Sequence, residues 1–282
     1  MLRGAKSRIT ESIGLAGIML KRRANRRWDE RPFGDRILAS RERYLELASE
    51  ARQREFPEVD AIERETGFAI NRDWLHELAL HTQVAVKSYK GSKIVYPHGR
   101  LLYSILRHHI ASTRPDFVQI VETGTARGFS ALCMARALAD SGVDGNITTI
   151  DLLPHTKPII WNCIDDHDGK KTRAKLLAPW SGLLRKITFL QGNTLALLPS
   201  LDFERVNFAF LDARHVAVTV MAEFKAIAPK QLPGDMIFFD DVTPSMFPGV
   251  VKAVDRVEAL YGYELRRMRL NDRRGYAWGP KR

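Results

Sequence analysis

From residue 115 onward, short β-branched and aromatic runs alternate with stretches of helical spacing. Strands are predicted at Phe117–Glu122, Asn146–Asp151, Ile187–Gln191, Val206–Asp212, Asp235–Asp240 and Tyr263–Leu270, with a short last one at Gly275–Trp278. Between the first six the pattern predicts helices at Phe129–Ala139, Lys170–Leu184, Thr194–Pro199, His215–Ala228 and Gly249–Leu260. Parallel strands need long crossovers, so this alternation implies an α/β fold: a doubly wound, mostly parallel seven-stranded sheet with helices on both faces. The preceding stretch reads as helical. Ile37, Leu38, Tyr44, Leu45, Leu47 and Ala48 recur at roughly helical spacing within Arg31–Arg54. Further helices are expected over Asp73–Val86 and Gly99–Ser112, the latter with Leu101, Leu102, Ile105, Leu106 and Ile110 on one side. The expected organisation is a basic tail at 1–31, a helical region at 32–114 serving as cap, lid or dimerisation element, and an α/β domain at 115–282.

Composition and charge narrow the function classes. With 282 residues, 45% of them hydrophobic, the chain can bury a large core, which excludes disorder as a whole. The net charge of +11 sits at the two ends: residues 1–31 carry 9 basic and 3 acidic groups, residues 264–282 carry 7 and 2, and the 232 residues between balance at 28 each. A nucleic-acid-binding body is therefore disfavoured. Cys133 and Cys163 are too few for a disulfide scaffold or a four-thiolate zinc site, and a reducing cytoplasmic location is expected. Ile13–Leu20, the longest apolar candidate, is too short to span a bilayer and runs into Lys21-Arg22-Arg23 without a small-residue cleavage site. Ile9, Ile13, Leu15, Ile18 and Leu20 among arginines would suit peripheral contact with anionic lipid, but a solvated tail is the preferred expectation.

The chemistry concentrates at strand ends. The first strand runs into Glu122-Thr123-Gly124-Thr125-Ala126-Arg127-Gly128-Phe129-Ser130, a glycine turn entering a helix, where Gly124 and Gly128 permit close backbone approach to a ligand and Ser130 can bond within the first turn. The carboxylate of Glu122 would repel a pyrophosphate and welcome a cationic ligand. Asp151, ending the second strand, stands where a carboxylate can accept both hydroxyls of a ribose. On these residues the stretch from about Phe117 to Leu270 resembles the class I S-adenosylmethionine-dependent methyltransferases, with their Rossmann-like sheet, and in particular their small-molecule O-methyltransferase branch. The resemblance implies S-adenosyl-L-methionine bound by Glu122, Thr123, Gly124, Thr125, Gly128, Ser130, Asp151, Leu152 and Asn193, the last in the turn Gln191-Gly192-Asn193 on the adenine side.

The fourth strand ends at Asp212 and the fifth at Asp240-Asp241. As neighbours, these strands would bring three carboxylates together, oxygen ligands suited to Mg²⁺ or a similar hard cation. The triplet resembles that of the metal-dependent catechol and macrocin-type sugar O-methyltransferases, which implies a metal that orients and acidifies an acceptor hydroxyl. Asp241, where the catechol branch often has Asn, suits the sugar and macrolide branch. His215 stands three residues after Asp212, where catechol-type enzymes place a lysine base, and is the expected proton acceptor, with Asp212 also assigned a catalytic part. The stretch Leu152–Lys186 is longer than a plain crossover and is read as part of an acceptor pocket or a solvated helix end. Tyr96-Pro97-His98-Gly99-Arg100 is read as a lid or a helix entry.

The leading expectation is thus an S-adenosylmethionine-dependent O-methyltransferase acting on a hydroxyl of a small molecule or saccharide, with homo-oligomerisation left open. The alternatives are a metal-dependent relative resembling cephalosporin hydroxylases and a non-catalytic module of the same fold. Nucleic-acid methylation is weakened by the balanced body and the lack of an Asn-Pro-Pro-Tyr-like motif, and a nicotinamide dehydrogenase by Glu122.

Overall fold

The computed structural model describes residues 32–86 and 94–282. The basic stretch 1–31, with its tail or lipid-contact reading, lies outside the described residues. Helix α1 (Arg41–Arg52) starts where the Ser40 side chain accepts the Arg43 N–H, and α3 (Arg72–Thr82) where Asn71 accepts that of Trp74. Between them lies α2 (Pro57–Thr66), which opens on a proline and stops at Gly67 in the left-handed region at φ +76°. This helix was not foreseen, because its buried face carries only Val59 and Ile62 with the paired Glu63. The helix expected to reach Val86 ends at Thr82. Past it, the Val86 N–H and carbonyl are bonded by the Asn162 amide at 3.1 and 2.8 Å, which holds the chain out of helical geometry. Helix α4 (His98–Thr113) then lies along α5 (Phe129–Ser141), and Gly99 makes that possible: a Cβ there would meet the Phe129 ring at 2.6 Å.

The sheet has the order β3 (Ile187–Gln191), β2 (Asp144–Asp151), β1 (Phe117–Thr123), β4 (Phe208–Leu211), β5 (Met236–Phe239), β7 (Arg274–Pro280), β6 (Arg266–Asn271). The first five pair in parallel, but β7 is antiparallel to both β5 and β6, so the sheet is mixed. Only Asp272 and Arg273 connect β6 to β7, and so short a link forces a hairpin. The expected start of β6 at Tyr263 moves to Arg266, since Tyr263 makes only an isolated bridge to Lys281. The helix expected over Lys170–Leu184 breaks into α6 (Arg173–Leu176), a 3₁₀ turn at Ala178–Trp180 and α7 (Ser181–Leu184), with Pro179 at the break. Likewise α8 (Thr194–Leu197) tightens into a 3₁₀ turn holding Pro199.

Period-two alternation sorts the two cores. Ile120, Phe208, Phe210, Phe238, Tyr276 and Trp278 join an apolar cluster with α2 to α5, so the helical region 32–114 shares its core with the sheet. Val121, Ala209, Leu211, Ile237, Phe239 and Ala277 face the other way, onto α9 (Ala217–Ile227) and α10 (Pro248–Leu260). No helix among the described residues is long and apolar enough to cross a membrane.

Candidate active site

Register places candidate side chains on one face. Glu122 pairs with Phe210, Phe210 with Phe238 and Phe238 with Trp278, so Glu122, Asp212, Asp240, Tyr276 and Arg274 share the α4/α5 face at the ends of adjacent strands. The glycine turn is needed for that closeness. Gly124 has φ +93°, and a Cβ on it would stand 2.3 Å from the Asp212 carbonyl oxygen. Ala126, at φ +45°, holds a left-handed conformation that costs a non-glycine residue energy, a strain typical of functional turns.

A buried hydroxyl–carboxyl chain locks the turn. Glu122 is fully buried and accepts from the Ser130 and Thr149 hydroxyls, while the Thr149 and Thr125 oxygens lie 2.6 Å apart. Burial pushes the Glu122 carboxyl up to about 7, with Asp151 adding to the effect and the Ser130 and Thr149 bonds opposing it. Asp151 accepts the Ala126 N–H at 2.6 Å and the Leu153 N–H at 2.9 Å, which ties β2 to the turn and leaves lone pairs for further donors. Leu152, beside it, is half-buried. Two expected cofactor residues use their side chains elsewhere: Thr123 donates to Glu223 beneath the sheet at 3.1 Å, and Asn193 caps α8 by accepting from Leu195 at 2.9 Å.

Asp212, His215 and Asp241 each offer a ligand atom within 4.8 Å of the others. The His215 Nε2 is 3.1 Å from an Asp241 oxygen and 3.5 Å from one of Asp212, yet it is buried with hydrogen-bond geometry to neither. Asp240 is not part of this group. Its carboxylate turns back to accept the Asp241 N–H at 2.6 Å, and Asp241 takes φ +56°. Desolvation and the adjacent carboxylates Asp240 and Asp241 push Asp212 well above the carboxylate range, and burial with Asp241 pushes Asp240 to about 7. Burial lowers His215, with Asp240 opposing and Arg274 adding. An orphaned imidazole nitrogen facing two crowded carboxylates fits a divalent cation; this donor set suits a borderline ion such as Mn²⁺ at least as well as Mg²⁺.

Sequence reasoning missed three cations here. Arg274 lies 3.3 Å from Asp241 and 3.8 Å from Asp240; burial opposes its charge, but Asp240, Tyr276, Asp241 and Asp212 hold its proton firmly. Only the antiparallel return of β7 brings it there, so no local spacing could have announced it. Arg127, inside the glycine turn, donates to the Trp161, Asn162 and Thr82 carbonyls. Arg173 is fully buried, donates to the Ala126 carbonyl at 3.0 Å and lies over the Trp161 and Phe189 rings. The stretch Leu152–Lys186 is thereby clamped onto the turn, and the unusual length of this crossover was the available signal. Tyr96–Arg100 is the entry to α4; His98, buried and held down to about 3 by burial with Arg274 adding, packs edge-on against the Phe129 ring at 4.9 Å.

This is the α/β methyltransferase fold, with a glycine turn and a cluster of acids at the strand ends. Residues 121–242 match a family model described as a methyltransferase domain. Among solved structures, cofactor-bound Rv0187 from MTB superposes with a TM-score of 0.55 at 17% identity, covering 82% of this chain and 99% of its own. The methyltransferase PaMTH1 of Podospora anserina, bound to SAH, superposes with a TM-score of 0.50 at 14% identity, covering 88% and 99%. No curated protein matches in sequence.

Proposed function

We propose that the protein is an S-adenosylmethionine-dependent O-methyltransferase that methylates a hydroxyl of a small molecule or saccharide with the help of a divalent cation. The observation that carries this reading is the glycine turn, tied to Asp151 on one side and packed against the Asp212 backbone of the Asp212–His215–Asp241 group on the other. S-adenosylmethionine would supply an electrophilic methyl carbon, with Asp151 accepting from its ribose, the turn Gly124–Gly128 along its body and Glu122, raised by burial to about 7, ionising in response to its positive charge. A divalent cation held by Asp212 and Asp241 would polarise the acceptor hydroxyl and fix its approach. Asp240 keeps Asp241 in place through its backbone N–H. His215, neutral near pH 7 because burial lowers it, accepts the hydroxyl proton at Nε2. The closeness of that nitrogen to both carboxylates favours a second assignment, His215 as the cation's third donor.

Calorimetry with S-adenosylhomocysteine and transfer of labelled methyl to panels of phenols, catechols and glycosides test the reading. Micromolar product-cofactor binding and chelator-sensitive labelling are expected. No binding at millimolar cofactor would overturn the assignment, and iron-dependent oxygen uptake would replace it with the hydroxylase alternative.

A further inference from the structure

A cavity of about 200 Å³ lies between α1, α3 and the entry to α4, apart from both the glycine turn and the acid cluster. Its lining includes Arg52, Arg54, Arg72, Arg100, His76 and Tyr96, and no carboxylate among the described residues. Behind the wall, Glu63 accepts from Arg72 at 2.5 and 2.9 Å and from Arg100 at 2.5 and 2.9 Å, and Asp60 also pairs with Arg100. Arg52 pairs with Asp73, but both side chains are mostly exposed, so that pair is weak and open to competition. Arg54 has no ion pair among the described residues, and its Nε is buried without a hydrogen-bond partner. Four guanidinium groups thus meet three carboxylates, and the surplus faces the cavity. The field shows at His76, which burial lowers and which Arg52, Arg72 and Arg100 lower further against Asp73.

We propose that this cavity binds a small oxyanion of the phosphate type, either free or as the phosphate group of a small metabolite, with Arg54 as its principal donor. Guanidinium forks match phosphate oxygens in pairs; the forks of Arg72 and Arg100 are held by Glu63, so the uncommitted fork of Arg54, joined by the exposed Arg52, supplies the donors to a tetrahedral anion. Phe56, Leu75 and Pro97 complete the lining between the charged groups. Tyr96 connects the cavity to the cofactor side, because its ring packs against Phe129 at 5.8 Å in the first turn of α5.

Titration calorimetry of the full chain with inorganic phosphate, pyrophosphate and citrate, at constant ionic strength in chloride, tests the site. Saturable binding of phosphate or pyrophosphate is expected, weakened at least about tenfold in Arg54→Gln and partly recovered in Arg54→Lys. The affinity for S-adenosylhomocysteine should be the same in all three proteins, which reports that each is folded and separates this site from the methyltransferase reading. A phosphomonoester such as glucose 6-phosphate that binds more tightly than phosphate would identify the metabolite-borne source; equal or weaker binding would identify the free ion. Absence of saturable binding at millimolar phosphate and pyrophosphate, equal binding in Arg54→Gln, or citrate binding as tightly as pyrophosphate would overturn the proposal.

Discussion

His215 and Glu122 show how one side chain's surroundings decide its chemistry. If His215 is the proton acceptor, His215→Ala should lower turnover roughly a hundredfold while Mn²⁺ affinity, read by calorimetry, is unchanged. Loss of Mn²⁺ affinity in parallel would instead make it a ligand. For Glu122 the sign follows from burial. Its folded pKa of about 7 lies above the ordinary carboxyl value, so the folded chain holds a proton that the unfolded chain releases, and this contribution to stability is lost as the pH rises from about 4.5 through 7. Over that window the melting temperature of the cofactor-free protein should fall a few degrees relative to Glu122→Gln, for an effect on the order of 2 kcal/mol. Parallel melting curves would show that Glu122 stays ionised. Glu122, Asp151, Asp212 and Asp241 were all legible as acids at strand ends; the turning of Asp240 onto a backbone N–H was not, because it depends on the left-handed φ of its neighbour.

At the scale of elements, close approach is the controlling requirement. A methyl group on Gly124 would collide with the Asp212 carbonyl and strain a φ of +93°, so Gly124→Ala should push β1 and β4 apart. The expected result is a loss of more than about 2 kcal/mol in denaturant unfolding together with loss of S-adenosylhomocysteine binding. Gly99→Ala would strike the Phe129 ring and the Cys133 sulfur, and the overpacking between α4 and α5 should cost about 1–3 kcal/mol. Because Phe129 opens the helix after the glycine turn, cofactor affinity should fall as well. The crossover helices were readable from apolar spacing, and their interruptions sit at Pro179 and Pro199, where the missing N–H ends regular helix.

For the whole molecule, charge and cation binding give separable expectations. Chelation should abolish methyl transfer and spare S-adenosylhomocysteine affinity, since Asp151 and the glycine turn do not share ligands with the Asp212–His215–Asp241 group. Full turnover in chelator would remove the cation from the reading. If the basic stretch 1–31 touches anionic lipid, deleting it should abolish cosedimentation with phosphatidylserine vesicles, whereas equal pelleting of both forms would dismiss that contact.

Alternating apolar runs and crossover lengths determined by themselves that a mostly parallel sheet would be wrapped by helices, and that Glu122, Asp151, Asp212 and Asp240-Asp241 would stand at the ends of four of its strands. Those features are local in the chain: period-two and helical spacing, and the position of an acid relative to its own strand. Tertiary structure alone decided the antiparallel return of β7, which sets Arg274 against the acid cluster, and the burial of Arg173 against the glycine turn. It also decided the joining of α2 to α5 to the sheet through one core. Each joins residues far apart in sequence, and their pairing is selected by shape and charge compensation in the folded chain.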